Sequence, residues 1–190
     1  MSTSTSTSTT ASGTYSIDPT HSRVGFVARH AMVTKVRGNF NDFEGSSYFD
    51  ADNPANSRLE VTIRAASIDT RNADRDAHLR SNDFFDMDTY PTITFTSTAA
   101  RQIGASDGGG TFQVDGELTI KGTTRPVSIE VELTGTATDP FGNLRVGLEG
   151  STVINRKDWG VNWNAALDAG GVLVSDKVTI EFEISAIQTP

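Results

Sequence analysis

The feature that most constrains this chain is an alternation of apolar and polar residues with a period of two. In the stretch FQVDGELTI (112–120), the apolar set is Phe112, Val114, Leu118 and Ile120. Successive side chains of a strand point to opposite faces, whereas a helix would repeat every 3.6 residues. The same alternation recurs in the stretches 59–63, 92–98, 127–133 and 178–184. The chain therefore predicts a set of strands that share one apolar interior.

Glycine and proline mark where these strands reverse. Between Ile120 and Val127, Gly122 can adopt a positive φ, so the flanking strands are expected to form a hairpin. Pro126 has no amide donor and should lie at a strand start or at an unpaired edge. Turn signals, which include the clusters SDGGG and DPFGN, recur at intervals of about 12 to 18 residues. These intervals are longer than the roughly 8 to 12 residues typical of a β-sandwich. Longer strands favour an up-and-down barrel of about eight tilted strands.

Residues 72–82 are the segment that convincingly breaks the alternation. Asn72 is a good N-cap, and Asp74 suits the positive end of a helix. Asp76 and Arg80 are spaced as an i,i+4 ion pair on the exposed side. We predict one short helix in an otherwise all-β chain.

Composition excludes several classes of protein. The 190 residues include no Cys, which rules out disulfides, zinc-thiolate sites and cysteine nucleophiles. The 16 Lys and Arg are scattered among 24 Asp and Glu, so a net charge of -8 disfavours nucleic acid. We predict a disordered Ser/Thr-rich tail over 1–13 and a single barrel domain over 14–190. With neither a signal-like N-terminus nor an apolar run of about 20 residues, the sequence as given is expected to be cytoplasmic.

The histidines do not suggest a metal site. His21 and His30 are nine residues apart on one extended stretch, so they could share an ion only if the chain folded back. Asp74 and His78 could form at most a two-point site on the helix. No Gly-x-Ser-x-Gly element is present, so a covalent hydrolase is not indicated. We predict no metal, no cofactor and no catalytic residue.

Four stretches occur in a fixed order: YSIDPTHSRVGFVARHAMVTKVRGNF, SIDTRNADRDAHLRSNDFFDMDTYPTITFTST, VDGELTIKGTTRPVSIEVEL and INRKDWGVNWN. Together they resemble the YceI-like family of bacterial lipocalin-like proteins, from about Tyr15 to Ile187. The most specific part is the block RDxHLRSxDFFD followed by YP. The resemblance implies an extended antiparallel, eight-stranded lipocalin-like barrel. It also implies an elongated apolar pore that holds a polyisoprenoid or a related amphiphilic lipid, often in a homodimer.

From the resemblance and the alternation together, we expect a carrier or store for a polyisoprenoid, an isoprenoid quinone or a similar lipid, with transient membrane contact. Two alternatives stay open: an isoprenoid-modifying enzyme that uses His78 as a general base, and a solid barrel that acts through its surface. The alternation assigns the apolar positions of each strand to a ligand-contacting wall. A bulge at Gly116 or Gly150 would change which positions face inward. The wall and its helix-side cover comprise Val24, Phe26, Phe40, Ile63, Phe84, Phe85, Phe95, Phe112, Leu118, Val131, Leu148 and Phe182.

Polar and indole side chains complete the predicted site. The candidates for gripping a polar head group are Arg75, His78, Arg80 and Arg156. Arg156 and Asp158 are expected on one strand face, two residues apart, where they could pair. Trp159 is assigned to the ligand wall, and Trp163 is expected to border the pore with it.

Overall fold

The computed structural model describes residues 12–105 and 109–190, so most of the predicted 1–13 tail lies outside the described residues. The described chain forms one antiparallel sheet and one helix, α1 (Ala73–Arg80). The strands are β1 (Gly13–Ile17), β2 (Arg23–His30), β3 (Thr34–Phe40), β4 (Phe43–Phe49), β5 (Arg58–Arg64), β6 (Ile68–Asp69), β7 (Thr92–Gly104), β8 (Gly110–Ile120), β9 (Thr123–Thr138), β10 (Leu144–Asn155) and β11 (Lys177–Gln188).

The sheet closes on itself through β11. One edge of β11 pairs with β10, and the other pairs first with β2 and then with β1. β1 and β2 thus act as one bent strand, broken by a 3-10 turn at Pro19–His21, and β3 and β4 run along them as a second. The two-residue β6 only extends the edge of β3. The result is a closed, antiparallel, eight-stranded barrel with one helix, which confirms the predicted fold class.

Because neighbouring strands alternate in direction, the connections fall into two groups at opposite ends. We call one the helix end; it carries the connections 31–33, 65–91, 121–122 and 156–176. The opposite end carries the connections after β4, β7 and β9. Among the described residues, no helix is long and apolar enough to cross a membrane.

The predicted hairpin joins β8 to β9. Lys121 and Gly122 form its two-residue turn, with φ of 50° and 73°, the left-handed values that a type I′ turn requires. Pro126 pairs with Glu117 of β8, while β9 begins to pair with β10 only at Glu130. The other edge at Pro126 therefore has no strand partner, as predicted.

Charged side chains fasten α1 to the chain before it. The Asn72 side chain accepts a hydrogen bond from the Arg75 amide at 2.9 Å, which confirms the predicted cap. The expected pair between Asp76 and Arg80 is wrong. Asp76 is buried and accepts from the amide and hydroxyl of Thr70, and Arg80 donates to backbone carbonyls of 66 and 68. Ala66 and Thr70 lie outside the strands, so side chains satisfy their backbone groups.

An ion-pair clamp ties strands together towards the opposite end. Arg145 on β10 donates to Asp18 Oδ2 and to Asp139 Oδ2, both at 2.8 Å, and to the Ser185 hydroxyl. Hydrogen bonds from Thr20 and Arg145 hold the pKa of Asp18 well below its usual range. The bond from Arg145 likewise lowers the pKa of Asp139.

Candidate functional site

The interior of the barrel is hollow. A cavity of about 240 Å³ is enclosed by the inward-facing side chains of the strands and by the cover at the helix end. Its lining is almost entirely hydrocarbon; the polar residues at its border are Ser47, Thr152 and Arg156. The predicted wall residues that line it are Val24, Phe26, Phe40, Ile63, Phe84, Phe85, Phe95, Leu118, Val131, Leu148 and Phe182. Whether these residues contact a ligand stays a prediction.

Three phenylalanine rings lie flat against the wall because each covers a glycine on a neighbouring strand. A Cβ added to any of these glycines would come within 2.4 to 2.6 Å of the ring. The pairs are Phe26 over Gly38, Phe95 over Gly116 and Phe182 over Gly150. The missing side chains leave room for the rings beside the wall, so the rings do not fill the lumen.

Gly116 and Gly150, where a bulge could have changed which side chains face inward, differ in their strand pairing. Gly116 lies opposite a register shift in β7, between Ser97 and Ala99. At Gly150 both ladders are regular, with Phe182 and Val131 as its partners. The inward parity of β8 and β10 is preserved on both sides of these glycines.

A second, smaller cavity of about 100 Å³ continues the lumen towards the opposite end. The two cavities share wall residues, namely Ser47, Leu59, Val114, Val131 and Leu148. Phe112 lines this second cavity and not the main one. Its ring meets the ring of Phe49, also in the second cavity, edge-on at a centroid distance of 5.7 Å. Together the cavities lie near the lower limit of about 300 to 1,000 Å³ typical of ligand sites, which suits a slender ligand.

Two segments cover the lumen at the helix end. The first is the helix segment, which contributes Leu79, Phe84 and Phe85 to the lining, with Phe85 edge-on to Phe40 at 6.0 Å. The second is the 156–176 connection, which contributes Val161 and Val174. No sequence pattern indicated these two valines, because the alternation ends with β10.

An aromatic cluster joins the two covering segments. The His78 ring packs edge-on against Trp163 at 4.6 Å and against Phe84 at 5.0 Å. His78 Nε2 lies 2.8 Å from Asp83 Oδ2. His78 therefore links the helix to the 156–176 connection, and it is not part of the cavity lining.

The other predicted head-group residues on the helix are engaged elsewhere. The Arg75 guanidinium donates to the hydroxyl and the carbonyl of Thr70, at 2.7 and 2.8 Å. Arg80 donates to Ala66 O at 2.9 Å and to Ile68 O at 3.1 Å. Neither arginine borders the main cavity, so a head-group role for either stays a prediction.

Arg156 is the charged side chain that borders the main cavity. Only 5% of the residue is exposed. Its guanidinium donates to four backbone carbonyls of the 156–176 connection, at 2.6 Å (Val161), 2.9 Å (Trp163), 2.9 Å (Ser175) and 3.4 Å (Val174). Burial lowers the pKa of this guanidinium, although an arginine stays charged at neutral pH.

The expected pairing of Arg156 with Asp158 is wrong. Residues Arg156–Trp159 form a 3-10 turn, so the two side chains do not share a strand face. Arg156 Nη2 instead lies 3.9 Å from Asp176 Oδ1, and Lys157 Nζ lies 3.1 Å from the same atom. Neither cation is aligned for a hydrogen bond to that buried oxygen.

The two tryptophans occupy different environments. Trp159 is buried behind the wall, where its indole nitrogen donates to Leu118 O at 2.8 Å. It does not line either cavity, contrary to its predicted place. Trp163 contacts the cover through His78 and Phe84.

Glutamates of β9, β10 and β11 lie on the outside of the barrel. A groove of about 570 Å³ on the outer face of β9 to β11 is lined by Glu130, Glu132, Glu149, Glu181 and Glu183. Such a groove is unsuited to an apolar ligand. Among residues 12–105 and 109–190, no group of three or more His, Asp or Glu is placed to hold a metal ion.

Comparisons with known proteins agree with this architecture. The family model described as a YceI-like domain matches residues 15–186. A UPF0312 protein of Photorhabdus laumondii is 42% identical over 139 residues, which cover 73% of this chain and 70% of that protein. The crystal structure of BcnA from Burkholderia cenocepacia is similar with a TM-score of 0.73 and 29% identity, over 89% of this chain and 98% of that one. A polyisoprenoid binding domain from Saccharophagus degradans shares the fold, with a TM-score of 0.69 and 17% identity over 92% and 98% of the two chains.

Proposed function

The chain belongs to the YceI-like family, and from this premise we propose that its barrel binds a slender amphiphilic lipid, a polyisoprenoid or an isoprenoid quinone, for storage or transport. The observation that carries the proposal is a hydrocarbon-lined lumen that three ring-over-glycine pairs leave unfilled. That lumen argues against the alternative of a solid barrel. The fold shared with a polyisoprenoid binding domain gives further support.

The energy available from such a lumen is sufficient. Burying about 20 chain carbons at ~0.8 kcal/mol per CH₂ gives roughly 16 kcal/mol before costs. Association costs on the order of 4 to 15 kcal/mol, and ordering the chain adds to that. Micromolar affinity corresponds to about 8 kcal/mol, so a lipid that survives purification requires association and ordering together to cost no more than about 8 kcal/mol.

The main experiment is organic extraction of freshly purified protein followed by mass spectrometry. We expect an isoprenoid lipid in stoichiometric amount. If the extract contains none, and the protein takes up no added polyprenol or quinone, the proposal is wrong. Titration with a quinone should quench the emission of Trp163, which packs against the cover, more strongly than that of the enclosed Trp159.

A pair of glycine variants tests whether the lumen holds the ligand. In Gly38→Ala the nearest atoms to the new Cβ would be those at the far end of the Phe26 ring, from 2.4 Å, so the ring must swing into the lumen. We expect weaker lipid uptake with little loss of stability. Gly135→Ala is the matched control, because nothing lies within 4 Å of its added Cβ. Equal uptake by both variants would place the lipid elsewhere.

We assign binding and no reaction to the chain. The enzymatic alternative needs His78 as a general base, but His78 lies outside the lining and contacts Asp83, Phe84 and Trp163. Incubation with labelled isoprenyl alcohol, isoprenyl diphosphate and quinone should give bound substrate and no product. Product formation that His78→Ala abolishes while binding persists would overturn this assignment.

Two further expectations stay proposals. A homodimer, implied by the family resemblance, is tested by sedimentation at several concentrations. The cytoplasmic location is tested by cell fractionation.

A further inference from the structure

The β2–β3 turn presents an apolar tip at the helix end. Met32 is 58% exposed and Val33 is 75% exposed. Ala28 of β2 lines the cavity, and two further residues of β2 separate it from the turn. The turn therefore projects beyond the lumen wall. The Ala31 amide donates to Leu173 O at 2.7 Å, which fixes the turn beside the 156–176 cover.

The backbone of this turn is strained. Val33 N donates to His30 O at 3.1 Å, and the two residues between them, Ala31 and Met32, have φ of 52° and 62°. This left-handed region favours glycine and asparagine, and it costs other residues energy. The chain therefore holds an exposed methionine in a position that a glycine would occupy at lower cost.

Cations flank the tip on the outer face of the hairpin. Arg29 and Lys35 lie directly opposite one another across β2 and β3, an arrangement that repels. Among the described residues, no carboxylate lies within 4.0 Å of either cation; Arg29 donates to Val33 O. The stretch 19–41 contains four Lys or Arg and no Asp or Glu, although the whole chain carries a net charge of -8.

The acidic groove and the basic hairpin are neighbours on the outside of the barrel. The acidic groove covers β9 to β11, and the basic hairpin lies next to it. Glu181 marks the boundary, at 3.7 Å from Arg23 and 3.8 Å from Arg37. An anionic surface would attract the hairpin and repel the groove, so it would orient the barrel.

We infer that the β2–β3 turn docks the barrel on an anionic lipid bilayer, with Met32 and Val33 entering the interface and Arg29 and Lys35 contacting lipid phosphates. Apolar side chains flanked by Arg and Lys are the combination that suits such an interface. The docked turn would bring the cover within reach of the bilayer. The inference that the bound lipid is exchanged at the docked turn rests on the proposed lipid-binding function. The docking itself does not depend on that function.

The experiment is co-sedimentation of the full chain with phosphatidylcholine vesicles, with and without phosphatidylglycerol. We expect binding only when phosphatidylglycerol is present, and weakening by salt. Lys35→Gln should lower the partition coefficient about fivefold, the equivalent of ~1 kcal/mol per cation. Met32→Gly should lower it about tenfold through lost apolar burial.

Both variants should keep their fold, because Met32→Gly relieves backbone strain and Lys35→Gln removes a repulsion. Their melting temperatures should equal or exceed that of the parent. Phe141→Ser and Arg101→Gln are matched controls, since Phe141 is 88% exposed in the β9–β10 turn at the opposite end and Arg101 is an exposed cation of β7. We expect both controls to sediment like the parent.

Three results would overturn the docking inference: no sedimentation with anionic vesicles, equal sedimentation with neutral ones, or full sedimentation of the Met32 and Lys35 variants. A partner that is an acidic protein would give the first of these. Uptake of polyprenol in detergent is measured in parallel. If uptake persists without sedimentation, only the docking is wrong; if sedimentation persists without uptake, only the lipid-binding function is wrong.

Discussion

Arg156 should stabilise the barrel by holding the 156–176 connection against its rim, and Arg156→Met tests this. The substitution keeps an unbranched side chain of similar length and removes donors to four carbonyls. A buried carbonyl left without a partner costs about 1 to 3 kcal/mol. Val161 O and Trp163 O accept from one guanidinium nitrogen, Nη1, at 2.6 and 2.9 Å. Counting these two in full, we expect a loss of about 2 to 6 kcal/mol.

The assay is urea unfolding followed by tryptophan fluorescence, with thermal melts as a second measure. For a domain of this size, 1 kcal/mol corresponds to roughly 2 to 4 °C, so the melting temperature should fall by at least about 4 °C. Arg156→Lys keeps the charge but offers a single donor group that cannot span four carbonyls, and it should recover only part of the loss. A loss below about 1 kcal/mol in Arg156→Met would show that water satisfies the carbonyls and would refute the reasoning.

The same variants separate a structural role from a head-group role. If Arg156 only holds the connection, alcohol-headed and diphosphate-headed isoprenoids should lose affinity by the same factor in Arg156→Met. If Arg156 also contacts the head group, the diphosphate-headed lipid should lose more, and Arg156→Lys should restore part of that difference.

Three other predictions concern the lumen and the clamp at the opposite end. Ala100→Phe should fill the second cavity of about 100 Å³ and weaken binding of long isoprenoid alcohols while sparing short ones; a uniform loss along the length series would contradict this. Phe182→Glu places an unpaired charge in a hydrocarbon lining and should impair both stability and lipid uptake, and an unaffected variant would show that the ring does not face the lumen. Hydrogen bonds from Thr20 and Arg145 hold the pKa of Asp18 below that of the unfolded chain, and the bond from Arg145 does the same for Asp139, so the contribution of the two carboxylates to stability is present above about pH 4 and is lost as the pH falls towards 2. Denaturant unfolding over that range should show a smaller pH dependence in Arg145→Gln, and an unchanged dependence would show that other carboxylates dominate.

Of all the predictions made from the sequence, the family assignment was the most direct. The ordered blocks around RDxHLRSxDFFD indicated the YceI-like family, and the family model confirms it over residues 15–186. The hairpin at Gly122 and the cap at Asn72 were also readable, because a turn type and an N-cap depend on a few adjacent residues.

The alternation by itself determined the strands and the face that each presents to the interior. Side-chain direction along a strand has a fixed period of two, so parity is a local property. Phe95, Leu118 and Phe182 could therefore be placed on the lumen side without knowing which strands are neighbours.

Only the tertiary structure decided whether the interior is open and what the charged residues do. The Phe182 ring lies beside Gly150, and β10 and β11, which carry them, are joined by the long 156–176 connection, so their register could not be read locally. The sequence predicts that Arg80 and Arg156 are available to bind a head group. In the structure, both donate to backbone carbonyls outside the strands. Which carbonyls lack partners is fixed only when the sheet closes, because strand pairing is non-local and every buried polar group must then be satisfied by whatever side chain lies within reach.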